Sequence, residues 1–153
     1  MTRLAALPGL EGWDIRESRI LVIDDEEANL ELLRGLLRRE GYTNVHCLSD
    51  AARAMPTFLE SRPDIVLLDL MMPSVDGYAV LESLSRLVSS DDLVPVIVLT
   101  ADASVAARRR ALALGARDFV SKPFDLIEVA LRISNLLEMR MLHSRLMARI
   151  AAT

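Results

Sequence analysis

Ile65-Val66-Leu67-Leu68 is an unbroken aliphatic run that ends on one carboxylate, Asp69, and continues into Leu70-Met71-Met72-Pro73. A strand with no polar alternation has to be covered on both faces, which is the condition of a parallel sheet held between helices. Open sheets of that kind place their chemistry in the crevice beyond the carboxyl ends of their strands. Asp69 therefore stands where a reactive group is expected, although strands also end in an ordinary turn-forming Asp.

The other apolar runs extend the pattern. Arg19 to Ile23 reads as a first strand that ends in Asp24-Asp25, and a helix follows from about Glu27 to Glu40, with Leu30, Leu33, Leu36 and Leu37 at helical spacing and Gly41 as its stop. Asn44 to Leu48 is a second strand, and Asp50 is placed as the N-cap of a helix that Arg62-Pro63 ends. After the Asp69 strand, Asp76-Gly77 opens a helix with Val80, Leu81, Leu84 and Leu87 on its apolar stripe, and Ser89 to Asp92 is a loop. Pro95 to Leu99 is a β-branched strand ending in Thr100, a helix runs from there to about Leu114 and stops at Gly115, and Phe119 to Ser121 is a fifth strand closed by Lys122-Pro123. A last helix starts near Asp125 and meets no breaker. Five strands alternating with helices predict an α/β fold, a five-stranded parallel sheet in the order 2-1-3-4-5, doubly wound and flavodoxin-like, with an extended C-terminal helix.

The chain is 153 residues long, enough for one core and too short for two of ordinary size. Residues 1–17 lack a clear period and read as an N-terminal extension, a partly ordered tail unless Trp13 docks on the domain or on a partner; residues 18–138 form the domain, and 139–153 extend its last helix as a linker or dimerisation segment. A net charge of −4 gives no electrostatic attraction for a nucleic-acid backbone, and Arg108-Arg109-Arg110 reads as a solvated helix face. No uncharged apolar run reaches the roughly 18 residues of a membrane span. The single Cys47 suits a reducing compartment, so a soluble cytoplasmic protein is expected. His46 and His143 have no partner at metal-ligand spacing.

In the order 2-1-3-4-5, strand 1 adjoins strand 3, so Asp24, Asp25 and Asp69 converge at one end of the sheet, with Thr100 and Lys122 on the same edge. Carboxylates packed that closely repel one another by several kcal/mol at an effective dielectric near 20. A few oxygen ligands on a rigid scaffold, with room for water and a phosphate oxygen, suit octahedral Mg²⁺. Lys122 is the cation left to grip a phosphoryl oxygen, and an ionised Asp can attack phosphorus to give an acyl phosphate. The Thr100 hydroxyl would then bond the new phosphate and swing inward.

These residues resemble the receiver domain of two-component response regulators. The matching set is Ile23-Asp24-Asp25, then Leu68 to Pro73 with Asp76-Gly77, then Leu99-Thr100-Ala101, then Phe119-Val120-Ser121-Lys122-Pro123-Phe124, and the resemblance runs from about Arg19 to Glu138. It implies Asp69 as phosphoacceptor, Asp25 as direct Mg²⁺ ligand, Asp24 acting through metal-bound water, and the Met71 backbone carbonyl completing the protein ligands. Thr100, Ala101 and Lys122 would form the phosphoryl-binding group, Phe119 would take the place of the aromatic switch, and the peptide before Pro123 would be cis. Met71 and Asp102 occupy the positions that modulate hydrolytic water, and Phe119 lacks the hydroxyl of the more usual Tyr. The implied partners are a sensor histidine kinase or histidine phosphotransfer protein, with an output domain or effector beyond.

The resemblance also implies a homodimer through helix 4, strand 5 and helix 5, with Arg108, Asp118, Glu128 and Arg132 as its alternating charges, although Arg117 and Leu114 depart from the usual acids. Val129, Ile133, Leu136, Met139, Leu142, Leu146 and Ile150 recur at gaps of three or four, the period of a two-stranded coiled coil, with Met139 onward expected to be free for a second chain or, alternatively, to be a lone helix end leading to an output domain. Two other readings use the same residues. A haloacid-dehalogenase-type phosphohydrolase needs a second acid two residues after its nucleophile, where this chain has Met71. A constitutive docking module would leave the site idle, yet every chemical position is filled. A regulatory domain that catalyses only its own phosphorylation and dephosphorylation is the expectation.

Overall fold

Every apolar run named above becomes a strand or a helix. A computed structural model describes residues 14–88 and 92–152; residues 1–13 with Trp13, and Ser89 to Asp91 of the expected loop, lie outside the described residues. The strands are β1 (Arg19–Ile23), β2 (Asn44–Leu48), β3 (Ile65–Asp69), β4 (Val96–Thr100) and β5 (Asp118–Ser121). The helices are α1 (Glu27–Arg39), α2 (Ala54–Ser61), α3 (Gly77–Leu87), α4 (Val105–Ala113) and α5 (Leu126–Ala152). A short antiparallel ribbon, Met71–Met72 against Val75–Asp76, sits between β3 and α3.

All five strands run parallel in the order β2-β1-β3-β4-β5. Alternate residues of each strand feed two cores. Ile20, Val22, Ile65, Leu67, Ile97 and Leu99 face α1 and α5, while Leu21, Ile23, Val66, Leu68, Val96 and Val98 face α2, α3 and α4. Covering both faces is what the unalternated sequence of β3 demanded, and all five of its residues are buried.

Local signals set the element ends. Gly41 and Gly115 take positive φ, +94° and +113°, and so stop α1 and α4 at no Cβ cost. Asp50, Asp76 and Ser104 accept hydrogen bonds from Ala52, Tyr78 and Ala107 backbone N–H groups, which satisfies donors that a helix start leaves open. Asp50 caps a single 3₁₀ turn, Ala51–Arg53, that leads into α2. Leu87, expected on the buried stripe of α3, is exposed at the helix's last position.

The last helix departs from expectation in where it leaves the domain. Arg140 pairs with Asp64 at the foot of β3 at 3.1 Å, and Met141 packs against the α1/α5 core. The helix thus stays on the domain beyond Glu138. Met139, Leu142, Leu146 and Ile150 are exposed, while Val129, Ile133 and Leu136 of the same periodic stripe are buried. Among the described residues, no helix is long and apolar enough to cross a membrane.

Candidate functional site

β1 and β3 are neighbours in register, so their carboxyl ends deliver Asp24, Asp25 and Asp69 to one place. One carboxylate oxygen from each lies within 4.8 Å of the others. Asp24 and Asp69 are buried and Asp25 is half-buried. Asp24 is held by its own N–H donating to the Leu48 carbonyl at 3.1 Å and by its carboxylate accepting from Glu26 N–H at 3.0 Å. Asp69 accepts from the Met71 N–H at 3.0 Å.

Lys122 reaches this cluster from the end of β5. Its backbone N–H donates to the Thr100 carbonyl at 2.8 Å, and the following peptide to Pro123 is cis, as the resemblance implied. The ammonium lies 3.2 Å from Asp69 Oδ1 and 3.4 Å from Asp24 Oδ2. One lysine against three carboxylates leaves a formal charge of −2 in a half-enclosed crevice. Carboxylate oxygens no more than 4.8 Å apart repel by at least about 3 kcal/mol per pair at an effective dielectric near 20. Among the described residues no cation pairs with Asp25. This all-oxygen donor set, short of two positive charges, fits a divalent hard cation. Burial pushes the Asp69 carboxyl up to about 6, with the neighbouring Asp24 adding to the rise, while the Met71 N–H and Lys122 pull it back.

Gly77 shapes the crevice from the α3 side. A Cβ there would stand 2.4 Å from the Leu70 carbonyl oxygen, so only glycine lets the start of α3 close against the residue after Asp69.

Thr100 is buried at the end of β4, its Oγ1 accepting from the Asp102 N–H at 3.1 Å, and Ala101 is exposed beside it. The Asp102 carboxylate accepts from Ser104 N–H at 3.0 Å, which holds its pKa below the usual carboxylate range. Met71 is 55% exposed at the mouth of the crevice. Phe119 is buried in β5, with the Arg108 guanidinium 5.9 Å from its ring centre.

The four charges expected on one face fall into two groups. Arg132 bonds both oxygens of Asp118 at 2.7 and 2.8 Å and Glu128 at 2.9 Å, all within one chain, while Arg108 stands apart on α4. Two features had no sequence signal. The Asp64 carboxylate accepts from the Arg19 backbone N–H at 2.7 Å besides pairing with Arg140, beside a cavity of about 320 Å³ at the opposite end of the sheet from Asp69. The Arg110 guanidinium stacks 3.9 Å above the Tyr78 ring, tying α4 to α3.

Comparison with known proteins agrees with this geometry. The sequence profile of the response regulator receiver domain matches residues 20–134. Transcriptional regulatory protein TrcR of Mycobacterium tuberculosis is 39% identical over 134 residues, which cover 88% of this chain and 51% of that protein. Response regulator MprA of Mycobacterium sp. (strain KMS) is 44% identical over 119 residues, 78% of this chain and 50% of that protein. The chain thus spans about half the length of these curated relatives. A CheY-like response regulator receiver domain protein from Methanospirillum hungatei superposes with a TM-score of 0.74 at 25% identity, covering 82% of this chain and 97% of the other. The Francisella response regulator 1452 receiver domain does so with a TM-score of 0.72 at 25% identity, covering 80% and 98%. Family profile, relatives and superposed structures agree with the acidic crevice: the chain belongs to the response regulator receiver domain family of two-component signalling.

Proposed function

We propose that this receiver domain is a phosphorylation-activated switch in which Asp69 accepts a phosphoryl group from a sensor histidine kinase or a histidine phosphotransfer protein. The observation that carries the reading is the convergence of Asp24, Asp25 and Asp69 within 4.8 Å, with the Lys122 ammonium 3.2 Å from Asp69. In the transfer, an Asp69 carboxylate oxygen forms a bond to phosphorus as the phosphorus–nitrogen bond of the donor phosphohistidine breaks, and the electron pair leaves with the imidazole. The product is an acyl phosphate. With acetyl phosphate as donor the bond broken is phosphorus–oxygen and acetate leaves.

Asp25, Asp24, Asp69 and the Met71 backbone carbonyl are the groups that would hold Mg²⁺, which when bound neutralises charge on the phosphoryl oxygens. Lys122 orients the phosphoryl group as a point charge, and the Thr100 hydroxyl, with Ala101 beside it, turns to donate to a phosphate oxygen. Phe119 packs inward behind Thr100 by shape alone, having no hydroxyl. Met71 and Asp102 set how water reaches the acyl phosphate, and thus its lifetime. The domain acts on itself only, speeding its own phosphorylation and hydrolysis.

The output runs through α4, β5 and α5. The exposed stripe Met139, Leu142, Leu146 and Ile150 pairs with that of a second copy, beside the Asp118–Arg132–Glu128 edge, and an output domain or effector reads the change. A cytoplasmic setting is part of the same proposal, supported by the single free Cys47, which suits a reducing compartment. The test is labelling by acetyl phosphate: the protein takes up label with Mg²⁺ and not with EDTA, and Asp69→Asn takes up none. Labelling that survives in Asp69→Asn overturns the assignment.

A further inference from the structure

At the foot of the sheet, at the opposite end from Asp69, a cavity of about 350 Å³ opens by the last turns of α2 and α3. Phe58 and Leu59 of α2, Leu87 of α3 and Val94 just before β4 give it an apolar lining. Phe58 is buried, whereas Leu59 and Leu87 are exposed. The charge around this lining runs against that of the chain. Arg19, Arg62 and Arg140 line the cavity and, among the described residues, face one acid there, Asp92, in a protein of net charge −4.

The three guanidinium groups are only partly answered. Arg140 and Arg19 share a single carboxylate, Asp64, at 3.1 and 3.9 Å. The Nε–H of Arg140 is buried and has no hydrogen-bond partner, a position that folded proteins nearly always fill. Among the described residues the Arg62 guanidinium has no carboxylate partner. Arg62 also caps α2 in the left-handed region, at φ 47°, where glycine or asparagine is the usual residue. Backbone strain of that kind gathers at ligand sites.

We infer that this cavity binds a small apolar carboxylic acid, its carboxylate on Arg62 and the Arg140 Nε–H and its hydrocarbon end on Leu59, Leu87 and Val94. A lining that is mainly apolar, with a few convergent polar groups, is the make-up of a small-molecule site. A carboxylate is the acceptor that guanidinium groups bond best, and three of them turn a cation away. A partner helix is the wrong occupant. A cube of the cavity's volume is roughly 7 Å on a side, narrower than the roughly 10 Å of an α-helix with its side chains. By supplying the acceptor that Arg140 lacks, the acid also holds α5, which carries Arg140, to the foot of the domain.

The test is an amide NMR titration of the full chain with hexanoate, hexylamine and acetate. Hexanoate binds saturably, at least about tenfold tighter than either of the others. It shifts the resonances of Leu59, Arg62, Leu87 and Val94 and leaves those of Asp69 and Thr100 in place. Arg62→Gln changes an exposed side chain, so the variant keeps its amide spectrum and unfolds at the same temperature, yet it binds hexanoate about tenfold more weakly. Arg140→Lys keeps a charge beside Asp64 and lacks the Nε–H. In the unsubstituted chain saturating hexanoate slows amide exchange along residues 141–152, and in Arg140→Lys it does not. Hexanoate that fails to saturate means a cleft filled by water only and overturns the site. Binding equal to that of hexylamine or acetate, or unchanged in folded Arg62→Gln, overturns it as well. A peptide ending in Leu that outcompetes hexanoate, while its C-terminal amide does not, makes the occupant a protein C-terminus and overturns the free acid. Exchange along α5 that ignores bound hexanoate overturns the contact with Arg140.

Discussion

A carboxylic acid withdrawn from water holds its proton longer, and Asp69 does so up to about pH 6 where an Asp in an unfolded chain lets go near pH 4. A folded pKa above the unfolded one means that the contribution to stability is complete below about pH 4 and disappears as the pH climbs through 6. In metal-free protein the loss is roughly 2–3 kcal/mol. Asp69→Asn, which never ionises, therefore gains stability relative to the unsubstituted protein between pH 4 and pH 7. Urea midpoints of the two proteins across that range check it, and added Mg²⁺ closes the gap at neutral pH by binding only the unsubstituted site tightly. Lys122→Ala is a different kind of change, since it removes the one cation beside Asp69 among the described residues and leaves the nucleophile. It still accepts phosphate, more slowly, and fails to show the beryllofluoride-dependent shift in Thr100 and α4 amide resonances. Gly77→Ala drives a Cβ into the Leu70 backbone and costs on the order of 2–4 kcal/mol by thermal or chemical unfolding. Asp69, Asp24 and Lys122 were legible in the sequence because each stands where an apolar run ends. The Asp102–Ser104 bond was hidden, because a loop carboxylate looks the same whether it faces a reaction or caps the next turn.

At the scale of elements, the strands and helices follow their apolar period almost residue for residue, and β1 and β2 have the bounds that their runs indicated. Long periodic segments bracketed by Gly, Pro and Asp leave little freedom. The hold on α5 was not legible. Asp64 and Arg140 are distant in sequence, and a charged residue on a helix reads as solvated until the fold sets its partner opposite. Arg140→Ala removes that tie and costs roughly 1 kcal/mol, and amide exchange along residues 141–152 accelerates while that of β3 stays slow. Uniform exchange rates along α5 in both proteins would show that the bond does not anchor the helix.

For the whole molecule, the sheet order followed from the count of alternating elements, and the two-faced burial of β3 followed from its composition. Assembly does not follow in the same way, because an apolar stripe records that something covers it and not what. The period of Met139, Leu142, Leu146 and Ile150 favours a second helix of the same chain. On the proposed pairing, the unsubstituted protein should be a dimer by light scattering at tens of micromolar and Leu142→Glu with Leu146→Glu a monomer, with acetyl phosphate labelling unaffected. The central claim is that one carboxylate in the crevice is the phosphoacceptor. Borohydride reduces an aspartyl phosphate to homoserine, so protein treated with acetyl phosphate and Mg²⁺, reduced and mapped by tandem mass spectrometry, should carry homoserine at position 69 and nowhere else, and none when EDTA replaces Mg²⁺. Homoserine at position 24 or 25, or an unmodified Asp69 in Mg²⁺-loaded protein, would contradict the account.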